Sequence, residues 1–408
     1  MANAVSVGWL ARLNFFLADV RDGLGPFLGI FLMGQGWRAD DIGYVMSIGG
    51  IAGMLATTPV GALIDATRHK RLVLAAASVL VVAGSLVLLV STSFGVTSVS
   101  QVGTGIVGAV IGPALAGLTL GMVGHERLAQ QLGINEAWNH AGNVASAALA
   151  GALGFYWGIP AVFMLMASMS VAALACLWRI RPEAIDHDMA RGLDPQGGPG
   201  ATLPAFTVLR RSRPLMVLAL AMMLFHMGNA AMLPLLGQAA MARAEIDPSL
   251  FTALTVIVAQ LVMIPVALAA GRLAMRRGYG LLVTMALLAL PLRGLIAGCW
   301  ASPWALIPVQ MLDGIGAGLM GVALPGFVAR ILRGSGHVNA GLGAVMTIQG
   351  AGASLSPALA GAIASRYGYG MAFLALTGIA LAGLLLWYAG GGRRDSGTGT
   401  SPHHHQHH

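Results

Sequence analysis

Ala148-Leu149-Ala150-Gly151-Ala152-Leu153 recurs about 210 residues later as Ala358-Leu359-Ala360-Gly361-Ala362-Ile363. The same offset carries Trp157-Gly158 onto Tyr367-Gly368, Phe163 onto Phe373 and Leu132-Gly133 onto Leu342-Gly343. It also carries Gly61 onto Gly271. The chain therefore reads as two copies of one unit, and nearly every segment of that unit is apolar.

Composition says where the apolar surface must go. Of 408 residues, 57% are hydrophobic and 9% charged, against about 25% charged in a soluble domain. One water-soluble core cannot hold that surplus, so it has to face lipid. The 57 glycines suit close approach of packed membrane helices. A formal charge of +8 fits basic residues retained in cytoplasmic loops, and no nucleic-acid partner is expected. Cys176 and Cys299 both lie in apolar runs and form neither a disulfide framework nor a zinc-type spacing. The first apolar run carries Asp19, Arg21 and Asp22, a poor leader sequence, so no cleavable signal peptide is expected.

A bilayer crossing needs about 20 apolar residues. Twelve such runs lie at roughly 8–33, 41–64, 72–92, 98–122, 132–156, 160–180, 213–241, 249–271, 280–300, 302–330, 339–363 and 368–389. The expected organisation is a six-helix bundle over 1–180, a linker over 181–212, a second six-helix bundle over 213–389 and a disordered tail over 390–408. The linker is polar and rich in Gly and Pro, which reads as flexible. Of the 23 Lys and Arg, only Arg38, Arg243 and Arg366 fall on the side away from both termini, and Arg21 and Arg293 lie within spans. That bias places both termini in the cytoplasm. The fold class is all-α integral membrane, twelve helices in two pseudo-symmetric bundles. A duplicated helical bundle with a site between its halves is the architecture of secondary transporters.

The connection between the second and third runs reads GALIDATRHKR, from Gly61 to Arg71. Gly61, Leu63, Asp65, Lys70 and Arg71 match the G-x-L-a-D-r-x-G-r-k-x loop of the major facilitator superfamily, which the chain resembles. Arg68 stands where the family has its second Gly. The resemblance implies a cytoplasmic gate built from Gly61, Asp65, Arg68, Lys70 and Arg71, joined by Glu126 and Arg127 in the loop after the fourth span. The second-half copy, Gly271 to Gly280, keeps Arg276 and Arg277 but has Met275 in place of Asp65. Drug–proton antiporters of the family carry an Arg in the fourth helix; Ser100 stands there. Their fifth-helix G-x-x-x-G-P-x-x-G-G lacks its Pro in Gly142 to Gly151, although Ser356-Pro357 in the eleventh run is nearer.

Charges inside an apolar span cost about 2.5–3.5 kcal/mol each on insertion scales. Asp19 and Asp22 are three apart and share a helix face. Paired carboxylates on one face are the chemistry of a proton carrier; an ion pair with Arg21 or another helix is the competing reading. Asn139, His140 and Asn143 form a stripe with Glu136 on the fifth span and are candidate cavity residues, or else interhelical hydrogen-bonding groups. His226 and Asn229 on the seventh span join the candidate cavity, near the break expected at Pro234. Arg293 and Asp313 are opposite charges on neighbouring spans, read as a direct pair, with Arg293 alternatively available to an anionic substrate.

These readings converge on a secondary active transporter of a small organic solute. It works by alternating access at a bacterial inner membrane, proton-coupled and with export favoured. Its partners are substrate, protons and the bilayer, and it acts as a monomer without a cofactor or resident metal. Three alternatives stay open: a proton-coupled importer of an organic anion or siderophore, a nickel/cobalt-type exporter suggested by the His403–His408 tract, and a non-transporting receptor or scaffold. No nucleophile–base spacing or phosphate loop points to an enzyme.

Overall fold

The computed structural model describes residues 2–21, 24–190, 205–244, 246–332 and 338–391. Among them the regular structure is entirely helical. In chain order the α-helices of the first half are α1 (Ala2–Arg21), α2 (Phe27–Gly34), α3 (Ala39–Ala66), α4 (Lys70–Leu86), α5 (Phe94–Trp157) and α6 (Pro160–Arg179). Two short helices follow, α7 (His187–Ala190) and α8 (Ala205–Arg211). The second half holds α9 (Arg213–Asn229), α10 (Met232–Arg243), α11 (Pro248–Arg277), α12 (Tyr279–Cys299), α13 (Leu306–Ile331), α14 (Val338–Tyr367) and α15 (Tyr369–Ala389).

Three expectations need correction. The fourth and fifth spans are not parted by a loop. The helical run continues through Gly124, whose φ of 77° turns the chain within one residue, a backbone state that only glycine adopts without strain. Residues 125–127 are therefore helical. The buried chain Gln131 Nε2 to Asn135 Oδ1 (2.9 Å), Asn135 Nδ2 to Thr119 Oγ1 (3.0 Å) and Thr119 Oγ1 to the Leu115 carbonyl (2.7 Å) ties the two sides of the kink. The seventh span breaks at Ala230-Ala231, not at Pro234. Proline deprives the carbonyl four residues earlier of its partner and crowds it, so the break appears one turn upstream. The connection after α6 is not uniformly loose: Asp186 N donates to the Gly121 carbonyl at 2.8 Å, seating α7 against α5. In the first span, α1 ends at Arg21 and α2 begins at Phe27, directly after Pro26, so the Pro and Gly interruption expected there is present.

Eight described helices are long and apolar enough to cross a membrane. The expected first, second, fifth and eleventh spans are not among them. These carry the glycines, polar groups and charges that face other helices, and small or polar packing faces lower hydropathy.

The duplication is visible as repeated backbone contacts. A side chain on Gly142 would run into the Phe15 carbonyl, and one on Gly352 into the Met223 carbonyl. Added Cβ atoms on Gly105 and Gly314 would stand 2.5 Å from the carbonyls of Gly49 and Ala259. Each pair maps onto its counterpart at the offset read in the sequence. Gly158 and Gly368, with φ of 83° and 90°, make matching turns into α6 and α15. Each half has its own apolar core. One runs from Leu10 to Ile185 and is joined by Ala253; the other runs from Val208 to Trp387.

The halves meet along a seam closed at the end that carries Arg38 and Arg366. There α3 crosses α14 at glycine: a Cβ on Gly361 would stand 2.5 Å from the Ala39 carbonyl, and one on Gly43 would strike the Pro357 carbonyl. Ala358 N donates to Ser47 Oγ at 2.8 Å and Arg38 Nη2 to Ser365 Oγ at 3.1 Å. The pseudo-equivalent crossing sets Gly151 of α5 on Ala253 of α11. Replacing Gly43 by Val is expected to wedge this seam without preventing folding, because the clash lies between the two cores. A cysteine at Ser354, buried beside Gly50, should then react several-fold faster with a membrane-impermeant thiol reagent in Gly43→Val than in the parent; equal rates would refute the closure.

Candidate functional site

Arg293 organises the polar interior of the second half. It lies on α12 with 1% of its side chain exposed. A guanidinium offers five N–H donors in a fixed fork, and two helices supply acceptors. Nη1 donates to Asn229 Oδ1 at the end of α9 and Nη2 to Gln310 Oε1 on α13 at 2.8 Å. Asp313, one turn along α13, places Oδ1 3.5 Å from Nη1. Gln310 is itself held, since its Nε2 donates to the Thr255 carbonyl of α11 at 2.7 Å. Arg293 Nε is buried and has no acceptor among the described residues.

This network walls a cavity of about 250 Å³. His226 and Asn229, three apart on α9, share its lining with Arg293, Asp313 and Gln349. Phe225, Leu290, Met320 and Leu324 make the rest largely apolar. Asp313 is 20% exposed, so its carboxylate has the buried cation on one side and the cavity on the other. Such a chamber accommodates an apolar body and orients it through a few polar groups.

A second cavity, of about 620 Å³, lies mainly in the first half. Arg21, Thr57, Gln101 and Thr104 give it polarity, glycines of α3 and α5 make its walls, and Ala230, Leu233 and Pro234 close it from the second half. Asn229 lines one cavity and Ala230 the other, so the two chambers adjoin at the break between α9 and α10. Arg21 and Arg293 thus stand one in each chamber.

The remaining expected site residues are dispersed. Asp19 has a buried Oδ2 but is not among the lining residues of either chamber. Asp22 lies outside the described residues. On α5, Asn139, His140 and Asn143 are half-buried and Glu136 is exposed. His140 reaches across the seam, with Nδ1 2.8 Å from Gln260 Oε1 of α11 and Nε2 3.8 Å from Glu136. At the gate loop Lys70 is buried and donates to the Thr67 carbonyl at 2.6 Å. Arg71 donates to the Ile180 and Leu177 carbonyls at the end of α6. Arg68 and Arg127 are exposed. Gly61, Asp65 and Glu126 fall on helical backbone, and the Asp65 and Glu126 side chains lie outside the described residues, as does the His403–His408 tract. Gln310, Gln260 and Gln349 were not singled out as site residues from sequence. A lone uncharged amide in an apolar span gives a weak signal, and only the positions of Arg293 and His140 reveal what Gln310 and Gln260 satisfy.

A twofold-repeated helical bundle enclosing two adjoining chambers, each with a buried or lining arginine, has the architecture of a membrane transporter. The chain belongs to the Major Facilitator Superfamily, whose family model matches residues 8–294. It is 42% identical over 380 residues to an uncharacterised MFS-type transporter found in two strains of Mycobacterium tuberculosis, covering 93% of this chain and 91% of the relative. Among solved structures, the nucleoside transporter NupG is similar with a TM-score of 0.74 at 15% identity, over 96% of this chain and 99% of that one. A bacterial homologue of the human lysosomal transporter Spinster, inward-facing and unoccupied, is similar with a TM-score of 0.75 at 13% identity, over 98% and 99%. At those identities the likeness is one of fold. The chain is a multi-pass membrane transporter and not an enzyme.

Gln310→Leu removes an acceptor from a buried guanidinium and a side-chain donor from the Thr255 carbonyl. Hydrogen bonds to charged groups contribute about 1.5–3 kcal/mol each. The variant is therefore expected to melt several degrees below the parent in detergent, whereas Gln349→Leu, whose Oε1 has no partner among the described residues, should be near neutral. Equal melting temperatures for parent and Gln310→Leu would contradict the network.

Proposed function

We propose that the protein is a proton-coupled secondary transporter of a small organic solute that works by alternating access and exports its substrate. The observation that carries this reading is the Arg293–Asp313 pair at the wall of a largely apolar chamber. A buried ion pair is retained at considerable desolvation cost. Here the carboxylate is the member with access to the chamber, so protonating it frees Arg293 from its charged partner. A donor group on the substrate and a proton then compete for that one carboxylate, which is the requirement for exchange.

In this reading residues 1–180 and 213–389 are the moving bodies, 181–212 is the cytoplasmic linker and 390–408 the cytoplasmic tail. Lys and Arg distribution supports cytoplasmic termini in a bacterial inner membrane, and each half's separate core supports action as a monomer. Export is chosen on the base rate of the family. Asp19 and Asp22 remain the first-half candidates for the coupling group. A second reading, uptake of an organic anion, draws on Arg21 and Arg293 facing the two adjoining chambers.

In proteoliposomes carrying an imposed pH gradient, substrate candidates with an apolar body and one polar group are expected to accumulate against their gradient. Asp313→Asn should abolish that accumulation and spare substrate exchange at zero gradient. Gradient-driven accumulation retained in Asp313→Asn but lost in Asp19→Asn or Asp22→Asn would move the coupling site to α1, and retention in all three would refute carboxylate coupling at these positions.

A further inference from the structure

Beside the gate loop, and apart from the transport chambers, the connection from α3 to α4 and the segment after α6 enclose a cavity of about 120 Å³. Its polar lining is cationic or basic: Arg68, His69, Arg71 and His187, with Leu72 and Pro182 among its apolar part. His187 opens α7, and its Nδ1 is buried without a hydrogen-bond partner among the described residues. A buried polar atom left without a partner is costly, and its residue borders a cavity with room for more than one water, at about 30 Å³ of liquid volume each. Burial, and then the cations of Lys70, Arg68 and His69, hold the His187 imidazole below its ordinary pKa, while Asp186 acts in the opposite sense. Asp186 is partly engaged, with its Oδ1 accepting from Asp188 N at 3.1 Å. Arg71 is spent in part on the carbonyls at the end of α6, whereas Arg68 is exposed and lines the cavity.

We propose that this cavity binds a phosphate-ester oxyanion, with Arg68 and His187 as its selecting contacts. A guanidinium beside an imidazole matches the several acceptor oxygens of such a group. A phospholipid headgroup and a free phosphate share this chemistry. Leu72, 68% exposed at the start of α4, gives a headgroup an apolar neighbour for its chain. An occupant would bridge the α3–α4 connection to the start of the linker, the segment that leads to the second half.

The test uses the full chain and two probes. Native mass spectrometry counts phosphatidylglycerol retained from mixed phosphatidylglycerol–phosphatidylcholine nanodiscs. Thermal melting in detergent compares inorganic phosphate with chloride at equal ionic strength. The parent is expected to retain one more phosphatidylglycerol than Arg68→Gln or His187→Leu at matched lipid ratio, with occupancy falling about fivefold for the lost charge of Arg68→Gln. Arg68→Lys, which keeps the charge, should retain most of it. Melting in phosphate-free buffer checks that each variant is folded. If retention is unchanged but a phosphate-induced rise in melting temperature disappears in the variants, the site stands with free phosphate as its occupant. If both lipid count and phosphate response are the same in parent, Arg68→Gln and His187→Leu, the site does not exist.

Discussion

The whole arrangement depends on two helices being able to touch backbone to backbone across the seam. At Gly43 and Gly361 no side chain intervenes between α3 and α14, and the same register sets Gly151 on Ala253 between α5 and α11. Lipid offers no hydrophobic gain for bringing one apolar helix against another, so packing and a few hydrogen bonds must do it. Contacts of this kind are close and short-ranged. They hold fully or are lost once a gap opens, which suits the seam to the alternating access proposed above. The two larger apolar cores lie within the halves, so opening the seam leaves them intact.

Inside the second half, and at one point of the contact between the halves, apolar packing gives way to polar groups that need partners. Arg293 draws Asn229, Gln310 and Asp313 around itself, and Gln310 extends the network to α11. His140 and Gln260 bridge α5 and α11 directly. The break between α9 and α10 sits at the junction of both chambers. A helix interrupted by proline near a cavity can flex without exposing free backbone groups to lipid. The seam, the break and the buried pair are therefore neighbours in one mechanical unit.

Much of the fold was legible because membrane helices declare themselves by length and because the duplication is written in small residues that cannot be exchanged freely. The Ala148–Leu153 repeat marks the seam crossing of α5, and its copy marks that of α14. Less was legible at breaks and at the site. Pro234 announces a break but not its position, which falls at the residues whose hydrogen bonding it disrupts. Gly124 replaces an expected loop by one positive φ. The charged members of the central cluster stood out because charge in an apolar run is expensive. Their uncharged partners did not, and which of several intramembrane carboxylates faces a chamber depends on helix rotation that periodicity alone leaves open.

In the proposed coupling, protonation at the Arg293–Asp313 pair and opening of the α3–α14 seam are one equilibrium. The direct test is the distance between spin labels at Arg38→Cys and Arg366→Cys, measured by pulsed electron paramagnetic resonance with Cys176 and Cys299 replaced. A short and a long population whose ratio shifts with pH in the parent, and no longer shifts in Asp313→Asn, is the result expected. A single short distance at every pH, or the same pH response in Asp313→Asn as in the parent, would contradict it.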